Sequence, residues 1–367
     1  MQYRTFGKTG KTPSVLGFGM MRLPKTQDGQ LDVAWTTRVL RQAIDNGLSY
    51  VDSAFVFPDS ERVTGIALAD GYREKVMLAS KLPVGRMNSE EEFDKILNEE
   101  LERLQTDHID NYLLHSLNRD KWENKVLPMH LLEHMERAKA DGRIRHIGFS
   151  FHDDLDVFKT IIDGYDKWEF CQIQLNYLDT NYQAGLEGLA YAKSKGIPVV
   201  IMEPLRGGKL ANVPESVANL LPSSPVESAL DFLWDLDGVN VLLSGMNSEE
   251  QVMQNMAYAD KARVGMLSDS DRQAIAKASE QMRKVVSIPC TACDYCSVCP
   301  QNIAISKVFA IYNQYQTDGN SRKAGQAYKA LGDRNGAVCV GCHACVHECP
   351  QHIDIPEQLA KLEKAFG

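Results

Sequence analysis

This chain of 367 residues lacks several features that would assign it quickly. No run of 18 or more apolar residues occurs, so no segment is long enough to cross a bilayer as a helix. Basic residues are not in excess: 40 Lys and Arg stand against 49 Asp and Glu. That balance argues against the basic face by which nucleic-acid proteins grip phosphate. Neither a nucleic-acid nor a membrane partner is expected. No G-x-G-x-x-G occurs; the nearest stretch, Gly17-Phe-Gly19-Met-Met-Arg22, fails at the last glycine. The opening Met1-Gln-Tyr-Arg4 has no apolar secretion core, and no low-complexity tract is seen. With 44% hydrophobic and 24% charged residues, the composition is that of a globular protein, expected in the cytoplasm.

Cysteine is scarce for most of the length. Cys171 stands alone, and the other eight fall between Cys290 and Cys349. In a reducing compartment such crowding points to metal or redox work rather than disulfides.

From the start to about residue 265, apolar strand-like runs alternate with helix-like stretches. The expected strands are Val15–Met20, Ser49–Ser53, Val76–Lys81, Ile109–His115, Ile144–Ser150, Phe170–Gln174, Pro198–Glu203 and Val239–Ser244. Ser89 and Glu92 form a capping-box pattern ahead of Phe93, Ile96, Leu97, Leu101 and Leu104. Trp35, Val39, Leu40, Ala43 and Ile44 make a second stripe that ends at Gly47. Eight βα repeats in about 250 residues predict a TIM (β/α)8 barrel. The α/β barrel domain is expected over residues 1–287, with a connecting helix near 267–287. A small, mainly helical module should occupy 288–367.

Barrel chemistry sits at the C-terminal ends of the strands. Asp52, Lys81 and His115 are ionisable residues at the ends of strands 2, 3 and 4, so they should converge. A carboxylate beside the lysine keeps it charged, and a histidine can donate to a substrate oxygen. A structural ion pair with a satisfied histidine would give the same spacing.

Several segments carry a resemblance. Arg4-Thr-Phe-Gly-Lys-Thr-Gly10, Asp52-Ser-Ala54, Ser80-Lys81-Leu-Pro83, Ile109-Asp-Asn-Tyr-Leu-Leu-His115, Ile147-Gly-Phe-Ser150 and Glu203-Pro-Leu205 resemble the aldo-keto reductases. That family pairs a nicotinamide cofactor with an Asp-Tyr-Lys-His tetrad. The resemblance makes Asp52, Lys81 and His115 catalytic. The tyrosine position five residues past the aspartate holds Phe57, which has no proton to give. Ordinary carbonyl reduction is therefore expected to be slow. The resemblance also places Met20, Ser150, Gln174, Met202, Leu205, Gly245, Asn247, Gln251, Gln254 and Asn255 around the cofactor. The Ser244-Gly245 step into a helix suits phosphate binding, and Gly207-Gly208 between Arg206 and Lys209 offers a second phosphate loop. Met246–Ser248 contains no Lys or Arg for a 2′-phosphate, so NADP and NAD both remain open, as does a flavin.

The cysteines form two motifs, Cys290-x2-Cys293-x2-Cys296-x2-Cys299-Pro300 and Cys339-x2-Cys342-x2-Cys345-x3-Cys349-Pro350. The second has bacterial ferredoxin spacing, in which the distant Cys-Pro ligates the other cluster. This spacing assigns Cys290, Cys293, Cys296 and Cys349 to one [4Fe–4S] cluster, and Cys339, Cys342, Cys345 and Cys299 to another. Two four-cysteine zinc sites would use the same sulfurs, but the third evenly spaced cysteine and the Cys-Pro steps favour iron–sulfur. Helix-like stretches at Ile303–Tyr315 and Ser321–Leu331 give the module a resemblance to α-helical ferredoxins. The whole resembles an iron–sulfur branch of the aldo-keto reductases: an oxidoreductase taking a small-molecule substrate and passing electrons to a ferredoxin or another redox protein. The alternative is a non-enzymatic electron carrier on an inactive barrel.

Overall fold

The computed structural model describes residues 1–285 and 287–366. It divides into two compact units: Met1–Pro204 with Ala229–Ser268, and Leu205–Ser228 with Asp269–Gly367. The packing thus groups the helix Asp269–Val285 with the cysteine-bearing segment.

The first unit is a closed parallel barrel of eight strands in sequential order. The strands are β1 (Leu16–Gly19), β2 (Tyr50–Asp52), β3 (Met77–Leu82), β4 (Ile109–Leu117), β5 (Ile144–Phe151), β6 (Phe170–Gln174), β7 (Val199–Met202) and β8 (Val239–Ser244). All eight expected strands are present, and in the chain each is followed by a helix, from Val33–Asp45 to Glu249–Ala259. Inward-facing Tyr50, Met77, Ala79, Leu113, Phe170, Val200, Val241 and Leu243 close over Phe6 to fill the barrel. Phe6 lies 5.6 Å from the Phe170 ring and 6.2 Å from Tyr50, so the N-terminal segment plugs the floor. Small residues make room for these rings. A Cβ on Gly148 would stand 2.5 Å from Phe170, which leaves glycine as the side chain that fits.

The expected capping box does not form. Helix Glu92–Leu104 begins three residues after Ser89, because the Glu92 carboxylate accepts from Asn88 N–H (2.8 Å). The stripe on Val33–Asp45 buries Val39, Leu40, Ala43 and Ile44; the helix closes at Asn46, and Gly47 turns the chain at φ 99°.

The second unit is mainly helical: Asp269–Val285, Ile305–Asp318, Ser321–Lys329 and Ile355–Phe366 are its longer helices. Ile303, Ile305, Val308, Phe309, Tyr328, Ile353, Ile355, Leu359 and Phe366 form its core, with Cys290, Cys296, Cys299, Cys339 and Cys349 packed against it. Tyr328 ties the ends together. Its hydroxyl donates to Glu363 (2.6 Å) and accepts from Gly336 N–H (2.9 Å).

The two cysteine segments repeat one backbone pattern. Ala292 and Gly341 precede the second cysteine of each motif in left-handed conformation, at φ 54° and 64°. Asp294 and His343 follow it at 61° and 59°, and Asn302 and His352 follow each Cys-Pro step at 52° and 48°. Left-handed residues reverse the chain sharply, so successive cysteines turn toward a common interior.

Candidate active site

The ends of β2, β3 and β4 bring the three expected ionisable residues into one neighbourhood. Lys81 Nζ donates to Asp52 Oδ1 (2.6 Å) and to Ser53 O (2.5 Å), and all three residues are buried. Burial pushes the Asp52 carboxyl up, against the pull of Lys81. The other carboxylate oxygen, Asp52 Oδ2, is buried without a hydrogen-bond partner among the described residues. His115 is also buried, and its basicity falls well below normal, first from desolvation and then from the charge of Lys81. The imidazole is therefore neutral near pH 7.

Phe57 occupies the space between these groups. Its ring centre is 5.4 Å from Lys81 Nζ and 6.1 Å from the His115 ring, which it meets edge-on at 86°. The ammonium faces an aromatic ring where an oxygen would otherwise stand.

Backbone irregularity aims the site. Pairing between β4 and β5 shifts register between Leu114 and Leu117, and Ser116 takes φ 56° directly after His115. Ser116 N–H donates to Ser150 Oγ (2.7 Å), which leaves the Ser150 hydroxyl proton available. Gln174 lies beside Met202 in the β6–β7 register and donates to Asp179 Oδ2 (3.2 Å). Asn176 donates to the same carboxylate and to Glu203 O, both at 3.2 Å. A carboxamide needs a donor and an acceptor. A hydroxyl at Ser150 and a side-chain amide at Gln174 are residue types that offer both, so their chemistry fits a nicotinamide.

At the end of β8, Asn255 donates to Ser244 Oγ (3.0 Å) and is buried. Ser248 caps the helix Glu249–Ala259, and Asn247 N–H is taken by Gln251 Oε1 (2.9 Å). Gln254 pairs with Glu250 (3.3 Å) on the exposed face. Met20 is buried on the other side of the strand ends, its carbonyl accepting from Ser60 Oγ (3.0 Å). Leu205 belongs to the second unit. Arg22, which sequence reasoning did not select, runs past Gly245: a Cβ there would lie 3.3 Å from the Arg22 Cβ. Arg22 and Asp179 lie outside the strands, so no periodicity marks them. A polar cluster on the outer face of β3 and β4 was also missed. Ser80 Oγ contacts Glu61 (2.6 Å) and Glu100 (3.0 Å), while Tyr112 donates to Glu100.

The eight clustered cysteines line two cavities. Cys290, Cys293, Cys296 and Cys349 line the first, and Cys299, Cys339, Cys342 and Cys345 line the second. Each cavity takes three sulfurs from one motif and the Cys-Pro sulfur from the other. Among the described residues, no three His, Cys, Asp or Glu side chains converge tightly enough to hold a single ion. Four thiols around each cavity form a donor set that fits a four-iron cube. Cys171 is buried in β6, and burial alone pushes its thiol far up, as in a core residue. Gly207, read as part of a phosphate loop, instead packs on Thr291 within the second unit.

Comparison with known proteins agrees with this geometry. The Aldo/keto reductase family model matches residues 15–280, and a 4Fe-4S dicluster domain matches 289–353. Aldo-keto reductase YhdN of Bacillus subtilis is 30% identical over 174 residues, 44% of this chain and about half (51%) of that protein. Methylglyoxal reductase YeaE of Escherichia coli is 30% identical over 226 residues, 58% of this chain and 71% of that protein. The holo form of aldo-keto reductase AKR11C1 from Bacillus halodurans superposes with a TM-score of 0.64 at 26% identity, covering 76% of this chain and 96% of that one. The chain belongs to the aldo/keto reductase family of oxidoreductases and carries a 4Fe-4S dicluster domain at its C-terminal end.

Proposed function

We propose that the protein couples a nucleotide cofactor or small substrate in the barrel to single-electron transfer through two [4Fe–4S] clusters. Cys290, Cys293, Cys296 and Cys349 hold the first cluster; Cys339, Cys342, Cys345 and Cys299 hold the second. The observation that carries this reading is the cross-lining of both cavities by the two Cys-Pro thiols. As functional modules the chain divides into 1–287 and 288–367, and its thiols suit the reducing cytoplasm.

When bound, the clusters exchange single electrons, a nicotinamide delivers hydride, and a flavin is the group able to convert between the two. The chain's own residues do the rest. Charged Lys81 and the neutral His115 ring polarise a carbonyl oxygen, with Asp52 orienting the ammonium. Phe57 supplies no proton, so the two-electron reduction common to carbonyl substrates lacks its acid. Ser150 and Gln174 orient a carboxamide, and Met202 lies beside Gln174. Around the strand-8 end, Gly245, Asn247, Gln251, Gln254 and Asn255 are the residues that would hold the nucleotide, with Met20 from the end of β1. An external ferredoxin is the partner whose chemistry matches the clusters.

The test is anaerobic addition of NADPH or NADH, with and without flavin, while cluster absorbance is followed. Bleaching supports internal electron flow. No bleaching under any condition, with dithionite still able to bleach, overturns it.

A further inference from the structure

The Arg206–Gly207–Gly208–Lys209 loop belongs to the surroundings of the first cysteine cavity. Gly207 takes φ 65°, and a Cβ there would stand 2.2 Å from Thr291 O, so only a glycine lets the loop approach this closely. Thr291 lies between Cys290 and Cys293 and is buried, as is Arg206. Lys209 Nζ donates to Ile288 O (3.3 Å), two residues before Cys290. Asn313 grips the same residue from both sides: Ile288 N–H donates to Asn313 Oδ1 (2.9 Å), and Asn313 Nδ2 donates to Ile288 O (2.8 Å). The Lys209 ammonium is thus fixed beside the first ligand segment rather than free in solvent. The Ala292 N–H points at Cys290 Sγ (3.4 Å) in the same segment.

We infer that Lys209 is a positioning and charge-setting residue for the first cluster, making it easier to reduce than it would be without that ammonium. The inference rests on the reading that Cys290, Cys293, Cys296 and Cys349 hold that cluster. Reduction adds one electron to the cluster, and a fixed positive charge favours the more negative state. At roughly 10 Å and an effective dielectric near 20, one unit charge changes that equilibrium about tenfold. For a one-electron couple, tenfold is about 59 mV.

The test is an anaerobic redox titration of the full-length, cluster-loaded protein, read by electron paramagnetic resonance. A Cys293→Ser variant assigns the first cluster's signal. Lys209→Gln should lower the first midpoint by about 59 mV, leave the second in place, and leave iron content unchanged. Lys209→Arg keeps the charge and should keep the wild-type potential. Unmoved potentials in Lys209→Gln, or an equal shift in Lys209→Arg, overturn the inference. If Lys209→Gln loses iron, Lys209→Met, which keeps the stem packed, takes its place; iron loss there too shows a purely structural role and overturns it. Zinc or cluster-free wild-type protein, prepared without oxygen, instead defeats the ligand reading on which the inference stands.

Discussion

Restoring an acid at position 57 measures what the barrel has given up. Phe57 stands half-buried, 5.4 Å from Lys81 Nζ by ring centre and edge-on to His115. A Phe57→Tyr hydroxyl would project from a ring already held between these groups, at little cost to the fold. An ammonium about 7 Å from that oxygen, at an effective dielectric near 20, favours its ionised form by about 2.4 kcal/mol. That brings a phenol from about 10 toward 8, nearer the working pH of a proton donor. General acid catalysis is worth about 10²–10⁴-fold, or about 2.7–5.4 kcal/mol of barrier. The assay is single-turnover reduction of small aldehydes with NADPH or NADH, in the absence of oxygen. Phe57→Tyr should speed the chemical step by that range. Its rate should fall as pH rises through the new phenol's ionisation, because the donor is then lost. Cofactor binding that stays intact with no gain in rate would refute the argument that the missing proton limits this barrel.

Other outcomes follow from the same geometry. Cys349→Ser should perturb only the first cluster's signal and Cys299→Ser only the second, each costing about half the iron if the site empties; paramagnetic resonance and iron analysis check this crossing. Glu100→Gln tests the buried carboxyl beside Glu61. Burial, and then the Glu61 charge, hold Glu100 well above its ordinary 4.5, so the native state keeps a proton that the unfolded chain releases. That contribution is complete below 4.5 and is lost as pH rises toward the native value. The amide variant should therefore gain melting temperature over wild type as pH rises, and a pH-independent difference would refute the shared-proton arrangement. Gly65→Ala should cost about 1–3 kcal/mol in a thermal melt, because its Cβ would stand 2.7 Å from the Arg103 and Leu104 backbone.

The barrel was legible because buried parallel strands read as apolar runs, and Asp52, Lys81 and His115 because each run stops at an ionisable residue. The sharing of Cys299 and Cys349 between cavities was legible because the second motif has ferredoxin spacing, in which the distant Cys-Pro serves the other set. What failed to show depends on contacts distant in sequence. The Ser89–Glu92 pattern is local, yet Glu92 satisfies Asn88 instead. Gly207 packs on Thr291, a contact that no local pattern announces. Glu61 and Glu100 sit on amphipathic helices where charge normally means solvent, and only Ser80, Tyr112 and Arg103 reveal them as interior. Arg22 and Asp179 are ordinary loop residues until the strand ends bring them to the mouth.

The matched turns around the two cysteine segments carry a last consequence. Each half completes the other's chamber, so the halves are interlocked like two links of a chain. A break anywhere between Pro300 and Val338 that let them drift apart would open both chambers together. Loading of one should therefore brace the half-built wall of its neighbour, so each site should hold its iron more firmly when the other is filled.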